Sequence, residues 1–177
     1  MSHLVFDNTV LSHFARAEAL DVLESLTVSY DRVTVDEVVK ELVRGAPEHP
    51  ALAKAIALPW LEIKELSAVE ELVAFARYKT ELGGGIERNT GEAAVLAWAH
   101  VHQGTAIIDE RAGTRAAKRD GTEVHGTLWL ITNGVAAGKL TREAAERMVD
   151  DLAATGMKLP VDGAGLFAWA YAEGLIT

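Results

Sequence analysis

With 177 residues, of which 49% are hydrophobic, the chain is long enough to bury one substantial core. It carries no cysteine, which excludes disulfides, thiolate nucleophiles and zinc–thiolate sites together, and its six histidines include no His-x-x-x-His pair to replace them. The formal charge of −9, from 26 acidic against 17 basic residues, argues against binding nucleic acid by bulk electrostatics, while leaving room for a basic patch beside an acidic metal site.

The opening run Leu4-Val5-Phe6 reads as a short buried strand that leads straight into Asp7. Because Asp7 interrupts this run at once, no secretory leader is expected, and no apolar stretch approaches the ~20 residues of a membrane span. A soluble cytoplasmic protein is the expectation. Helix-forming residues without a breaker follow from Thr9 to about Leu26, then a second strand, Arg32–Val35. Thr34 and Glu37 have the spacing of a capping box at the start of a helix that runs to Arg44 and stops at Gly45. That spacing accounts for Glu37 and leaves Glu41 unexplained.

A short helix, Ala51–Leu58, closes at Pro59, and Trp60–Ile63 reads as a strand. Helix Ala68–Glu81 has apolar positions Val69, Leu72, Val73 and Ala76 at three- and four-residue spacing, expected to face the core. Three successive glycines interrupt the pattern between Leu82 and Asn89, in a segment read as a connector. Thr90 is placed to cap a helix from Gly91 to His102, with Glu92 in its first turn. Strand Thr105–Asp109 repeats the design of the first: an apolar run closed by a carboxylate. An Ala/Arg/Lys-rich helix to Arg119, a short strand Thr122–Val124, and helices Thr127–Ala137, Thr141–Thr155 and Gly163–Gly174 complete the chain. Strands alternating with helices predict an α/β fold with a short, mainly parallel sheet. Trp129, Phe167, Trp169 and Tyr171, on apolar helices, read as core or dimer contacts ahead of base-stacking platforms.

Four carboxylates stand out by position: Asp7, Glu41, Glu92 and Asp109. In their order and with their flanks they resemble the PIN-domain ribonucleases. The matching stretches are Leu4–Leu11, Lys40–Gly45, Thr90–Ala97 and Ala106–Arg111. The continuation Glu123–Ile131 and Gly134–Leu152 resembles VapC-like toxins with an added C-terminal helical segment. The resemblance implies a three-layer α/β/α domain over residues 1–155, with 156–177 as a helical extension packed on it. It also implies that Asp7, Glu41, Glu92 and Asp109 form a Mg²⁺ or Mn²⁺ site that cuts RNA, and that a small antitoxin protein is the partner. A homodimer is the expected assembly.

Hard divalent cations prefer oxygen ligands, and carboxylates crowded together without a cation repel one another, so the chemistry agrees with that resemblance. Glu110, Thr9, Asn8 and Thr127 are secondary candidates, the last three explained as readily by helix starts. Arg111 and Arg115, with Lys118 and Arg119, gather the densest positive charge and are candidates for holding substrate phosphates. The competing reading is a non-catalytic PIN-like module that binds protein or RNA. A phosphatase or hydrolase of another fold is disfavoured by the lack of an Asp-x-Asp or glycine-rich phosphate loop at a strand end.

Overall fold

The computed structural model describes residues 2–85 and 88–176. Its elements, in chain order, are β1 (His3–Phe6), α1 (Asn8–Arg16), α2 (Leu20–Thr27), β2 (Asp31–Val35), α3 (Asp36–Gly45), α4 (Leu52–Ile56), β3 (Glu62–Lys64), α5 (Val69–Leu82), α6 (Thr90–His102), β4 (Thr105–Ile107), α7 (Arg111–Arg119), β5 (Val124–His125), α8 (Thr127–Ala136), α9 (Arg142–Ala154) and α10 (Leu166–Ala172). The five strands form one sheet in the order β3-β2-β1-β4-β5, and every pairing is parallel. Helices flank this sheet in a three-layer α/β/α arrangement, as the family resemblance implies, and the sheet is parallel, as the alternation of elements predicts.

β1 occupies the centre of the sheet because it has no polar face to show. Leu4, Val5 and Phe6 are fully buried, the pattern of a strand covered on both sides. Burial of each such side chain contributes roughly 1.5–3 kcal/mol. α6 lies across β1, β2 and β4, and its residues Gly91–Ala99 are buried all the way round. Its alanines at 93, 94, 97 and 99 let it approach the sheet closely. Met157, Leu166 and Phe167 join the same hydrophobic cluster, and α10 packs against α8.

Several local expectations are corrected. The helix expected over Thr9–Leu26 is two helices, α1 and α2. Glu18 takes a left-handed conformation (φ 56°), and the amides of Glu18 and Ala19 donate to Ala15 and Phe14, closing α1 without glycine or proline. The capping box at Thr34 does not form: Thr34 belongs to β2, and its hydroxyl donates to the Phe6 carbonyl at 2.9 Å, while Glu37 pairs with Lys40. β3 is displaced to Glu62–Lys64, β4 ends at Ile107, and β5 is Val124–His125. Asn89, in the left-handed conformation, takes the cap position of α6 in place of Thr90, whose hydroxyl accepts from Lys79.

The largest reversal is on α5. Val69, Leu72 and Val73 are exposed (70%, 48% and 64%), and the helix buries Glu71, Ala74 and Tyr78 instead. Glu71 can be buried because it accepts from the amides of Ser67 and Ala68 and from His102. Tyr78 can be buried because its hydroxyl meets Thr122 at 3.1 Å. Of the glycine-containing connector, Ile86 and Glu87 lie outside the described residues, while Gly83, Gly84 and Gly85 all have positive φ that other residues rarely adopt.

Candidate active site

From β1 the chain proceeds to β2 and β3 on one side, whereas β4 and β5 lie on the other. The carboxyl ends of β1 and β4 therefore flank the point where the winding of the sheet reverses. In open parallel sheets that point leaves a crevice. Here it is a cleft of about 220 Å³ lined by Asp7, Thr9, Glu41, Asn89, Glu92, Glu110 and Ala112.

Asp7 is the first residue after β1. Its amide still donates to the Ile107 carbonyl at 3.3 Å, and its carboxylate accepts the Thr9 amide at 3.2 Å, so it also caps α1. Only 4% of it is exposed. Burial raises its pKa to about 6, the nearby Glu41 charge adds to this, and the Thr9 amide partly offsets it. Glu41 comes from α3 and accepts the Gly91 amide at 2.8 Å. A Cβ at residue 91 would lie 2.8 Å from both carboxylate oxygens, so a glycine is needed for this contact.

Glu92 stands in the first turn of α6, buried, and its Oε1 has no hydrogen-bond partner. Burial, then the charges of Asp7, Glu110 and Glu41, raise its pKa to about 7. The Gly113 amide acts in the opposite direction, more strongly than Glu41, although Oε1 has no hydrogen-bond partner. A Cβ on Gly113 would sit 2.1 Å from that same Oε1. Two glycines, Gly91 and Gly113, thus make room for two of the carboxylates. Gly91 adjoins Glu92 in sequence, but neither role is signalled by residue type alone.

The four carboxylates singled out by sequence are divided by the fold. Asp7, Glu41 and Glu92 meet in the cleft, whereas Asp109 does not line it. Its two oxygens accept the amide and hydroxyl of Thr127 at 2.9 and 2.7 Å, tying β4 to the start of α8. Burial raises the Asp109 pKa and Glu110 adds to the effect, against the two Thr127 bonds. Glu110, the next residue, faces the cleft instead. Of the secondary candidates, Thr9 lines the cleft, Thr127 is committed to Asp109, and the Asn8 Oδ1 is buried without a partner. Arg111 and Arg115 are exposed on α7, outside the cleft lining. Asn89 and Ala112 line the cleft without having been anticipated; the Asn89 amide group is anchored on the carbonyls of Leu82 and Gly83.

Among the described residues, no three carboxylate or imidazole side chains come close enough together to ligate one ion directly. The donors at the cleft are nonetheless all oxygen, and Glu92 offers a buried oxygen with nothing bound to it. That set suits a hard cation that keeps several waters and takes only one or two carboxylates directly.

An all-parallel sheet with acids from separate chain segments gathered at its switch point defines the class: a doubly wound α/β domain with an acidic cleft. A family model described as a PIN domain (DUF3368) matches residues 3–163, and the chain belongs to the PIN-domain family. No curated protein matches it. Among the described residues, no helix is long and apolar enough to cross a membrane.

Proposed function

We propose that the chain is a metal-dependent endoribonuclease that hydrolyses RNA phosphodiester bonds in the cleft between β1 and β4. One observation carries this reading: Asp7, Glu41 and Glu92 share a cleft with Glu110, and burial pushes Asp7 and Glu92 toward neutrality, helped at Asp7 by the charge of Glu41 and at Glu92 by the charges of Asp7 and Glu110. Buried like charges of this kind are accommodated by a proton or a cation. Mg²⁺ or Mn²⁺ held by Asp7, Glu41 and Glu92, in part through water, would supply charge neutralisation at the scissile phosphate and acidify bound water.

The chain's own residues do the positioning. Asp7 is fixed by its bond to the Thr9 amide, and Glu41 by its bond to the Gly91 amide. Glu92 lines the cleft, and its carboxylate is the group that accepts a proton from the attacking water. Glu110 orients that water from the rim, and the exposed Arg111 and Arg115 hold flanking phosphates of the strand. Asp109 serves the site by positioning, through Thr127 and the neighbouring Glu110.

The same reading makes the protein the toxin of a VapC-like pair, cytoplasmic and homodimeric, with residues 156–177 as an extension of the nuclease domain. A small antitoxin would cover the cleft and offer an Arg to its carboxylates, a bidentate match. The non-catalytic alternative draws on the absence of three directly converging ligands among the described residues. Incubation of purified protein with single-stranded RNA decides between them. Cleavage is expected with Mg²⁺ or Mn²⁺ and none in excess chelator; cleavage that persists in chelator, or its absence with every divalent ion tried, rejects the metal-nuclease reading.

A further inference from the structure

A second cavity, of about 380 Å³, opens on the other side of the first turns of α7. It lies at the small end of the ~300–1,000 Å³ range that accepts small organic groups. Its walls carry Trp129 of α8, Trp169 of α10, His125 of β5, and Lys118 of α7. His125 stacks flat on Trp129, with ring centroids 4.1 Å apart and planes 5° from parallel, so the indole is held in one orientation. Unlike Phe167, which is buried in the core, Trp129 and Trp169 are only half-buried.

The two cavities are immediate neighbours. Asp109 lines this one and Glu110 lines the carboxylate cleft, and consecutive Cα atoms are only ~3.8 Å apart. On α7, Ala112 faces the cleft, whereas Thr114 and Lys118 face the second cavity. Arg111, Arg115 and Lys118, at positions i, i+4 and i+7, form an exposed basic stripe about 10 Å long beside both openings. A phosphate backbone following that stripe has the carboxylates at one end and a fixed aromatic wall at the other.

We infer that this cavity takes one unpaired nucleobase of the RNA strand, stacked on the Trp129 and Trp169 indoles, and so sets which phosphate enters the carboxylate cleft. The inference rests on the nuclease reading above. Stacking on aromatic side chains is the general means of gripping single-stranded RNA, since every base has a π-face. Glu173 at the same cavity can accept an N–H from the base edge. A duplex cannot offer a base in this way, so the substrate is single-stranded.

The test is anisotropy binding of a labelled single-stranded RNA hexamer to the full chain in chelator, with cleavage in Mn²⁺ assayed alongside. Trp169→Ala is expected to weaken binding roughly tenfold, and Trp169→Phe to retain most of the affinity. One abasic nucleotide, at a single position of the hexamer, should cost wild type a similar factor and cost Trp169→Ala nothing more. Unchanged thermal melting of Trp169→Ala, together with the abasic hexamer measured on wild type, keeps the comparison independent of folding. If wild type cuts the RNA while Trp169→Ala and the abasic hexamers bind as tightly as the parents, the base-pocket inference is overturned and the nuclease reading stands. RNA that wild type neither binds nor cuts overturns both. A Trp169→Ala variant that keeps its RNA affinity but no longer binds a protein partner assigns the cavity to that partner and overturns the inference.

Discussion

The ends of β1 and β4 are built alike in sequence and used differently in the fold. Each is an apolar run followed by an aspartate, yet Asp7 faces the cleft and Asp109 is turned to Thr127. Strand register explains the difference. Phe6 pairs with Ile107, so the residue level with Asp7 is Ile108, and Asp109 lies one step further on. Side chains alternate in direction along an extended chain, so one step sends a carboxylate to the other side. Glu110, a further step on, returns to the cleft. An acidic pair read along the sequence is therefore one acid at the cleft and one bonded to Thr127.

The largest effect expected from this contrast is on turnover. Asp7→Asn should lower RNA cleavage by roughly a thousandfold, about 4 kcal/mol of barrier, whereas Asp109→Asn should lower it far less than Glu110→Gln does. Single-turnover rates at saturating Mn²⁺ measure this. Equal losses for Asp7→Asn and Asp109→Asn would remove the distinction between the two strand ends.

Next is the pH dependence of the metal-free fold. Asp7 and Glu92 have folded-state pKa values of about 6 and about 7, above the ordinary 3.8 and 4.5. The folded protein thus holds these protons more tightly than the unfolded chain does. Their contribution to stability is fully present below about pH 4 and is lost as pH rises through 6 and 7, on the order of 3 kcal/mol for Asp7 alone. Urea unfolding in chelator at pH 5 and pH 8 should show this fall in wild type and a shallower one in Asp7→Asn. A pH-independent difference between the two proteins would mean that Asp7 is not protonated in the fold at pH 5.

Metal should reverse that destabilisation. A cation that binds only the native state stabilises by about 2.7 kcal/mol at a hundredfold excess over its dissociation constant. Thermal melts with and without Mn²⁺ should show the rise in wild type and in Asp109→Asn, but little of it in Glu92→Gln or in Gly113→Ala, whose new methyl group displaces the Glu92 carboxylate. The smallest effect is structural: Asp109→Asn should cost the metal-free protein about 1 kcal/mol, because an amide cannot accept both Thr127 hydrogens as strongly as a carboxylate. A melting temperature at or above wild type would show that relief of repulsion from Glu110 outweighs those bonds.

Elements closed by local chemistry were legible in the sequence. The apolar run of β1 and the carboxylate in the first turn of α6 each follow from residues within a few positions of one another, whereas Gly45, expected to stop α3, is its last helical residue, with Ala46 at the cap. The alternation of strands and helices implied a parallel sheet, because parallel strands need long crossovers. Asp7 and Glu92 stand at element ends, where capping or the helix dipole would also account for them, and Glu41 stands on a helix with no capping role; their order along the chain and the family resemblance set the three apart.

What only the tertiary structure decided are matters of direction and of partners distant in sequence. α5 shows an apolar stripe to solvent because Glu71 and Tyr78 find His102 and Thr122 across the helix interface, which no periodicity within α5 contains. Thr34 has the spacing of a cap but bonds Phe6, 28 residues away, once β2 pairs with β1. The separation of Asp109 from the cleft depends on register between strands a hundred residues apart. The aromatic cavity depends on α10 folding back beside β5 and α8. Sequence determines local propensity and the order of elements, since these arise from neighbouring residues; which way a side chain points at a strand end is determined by the packed sheet, where one residue of register changes the face.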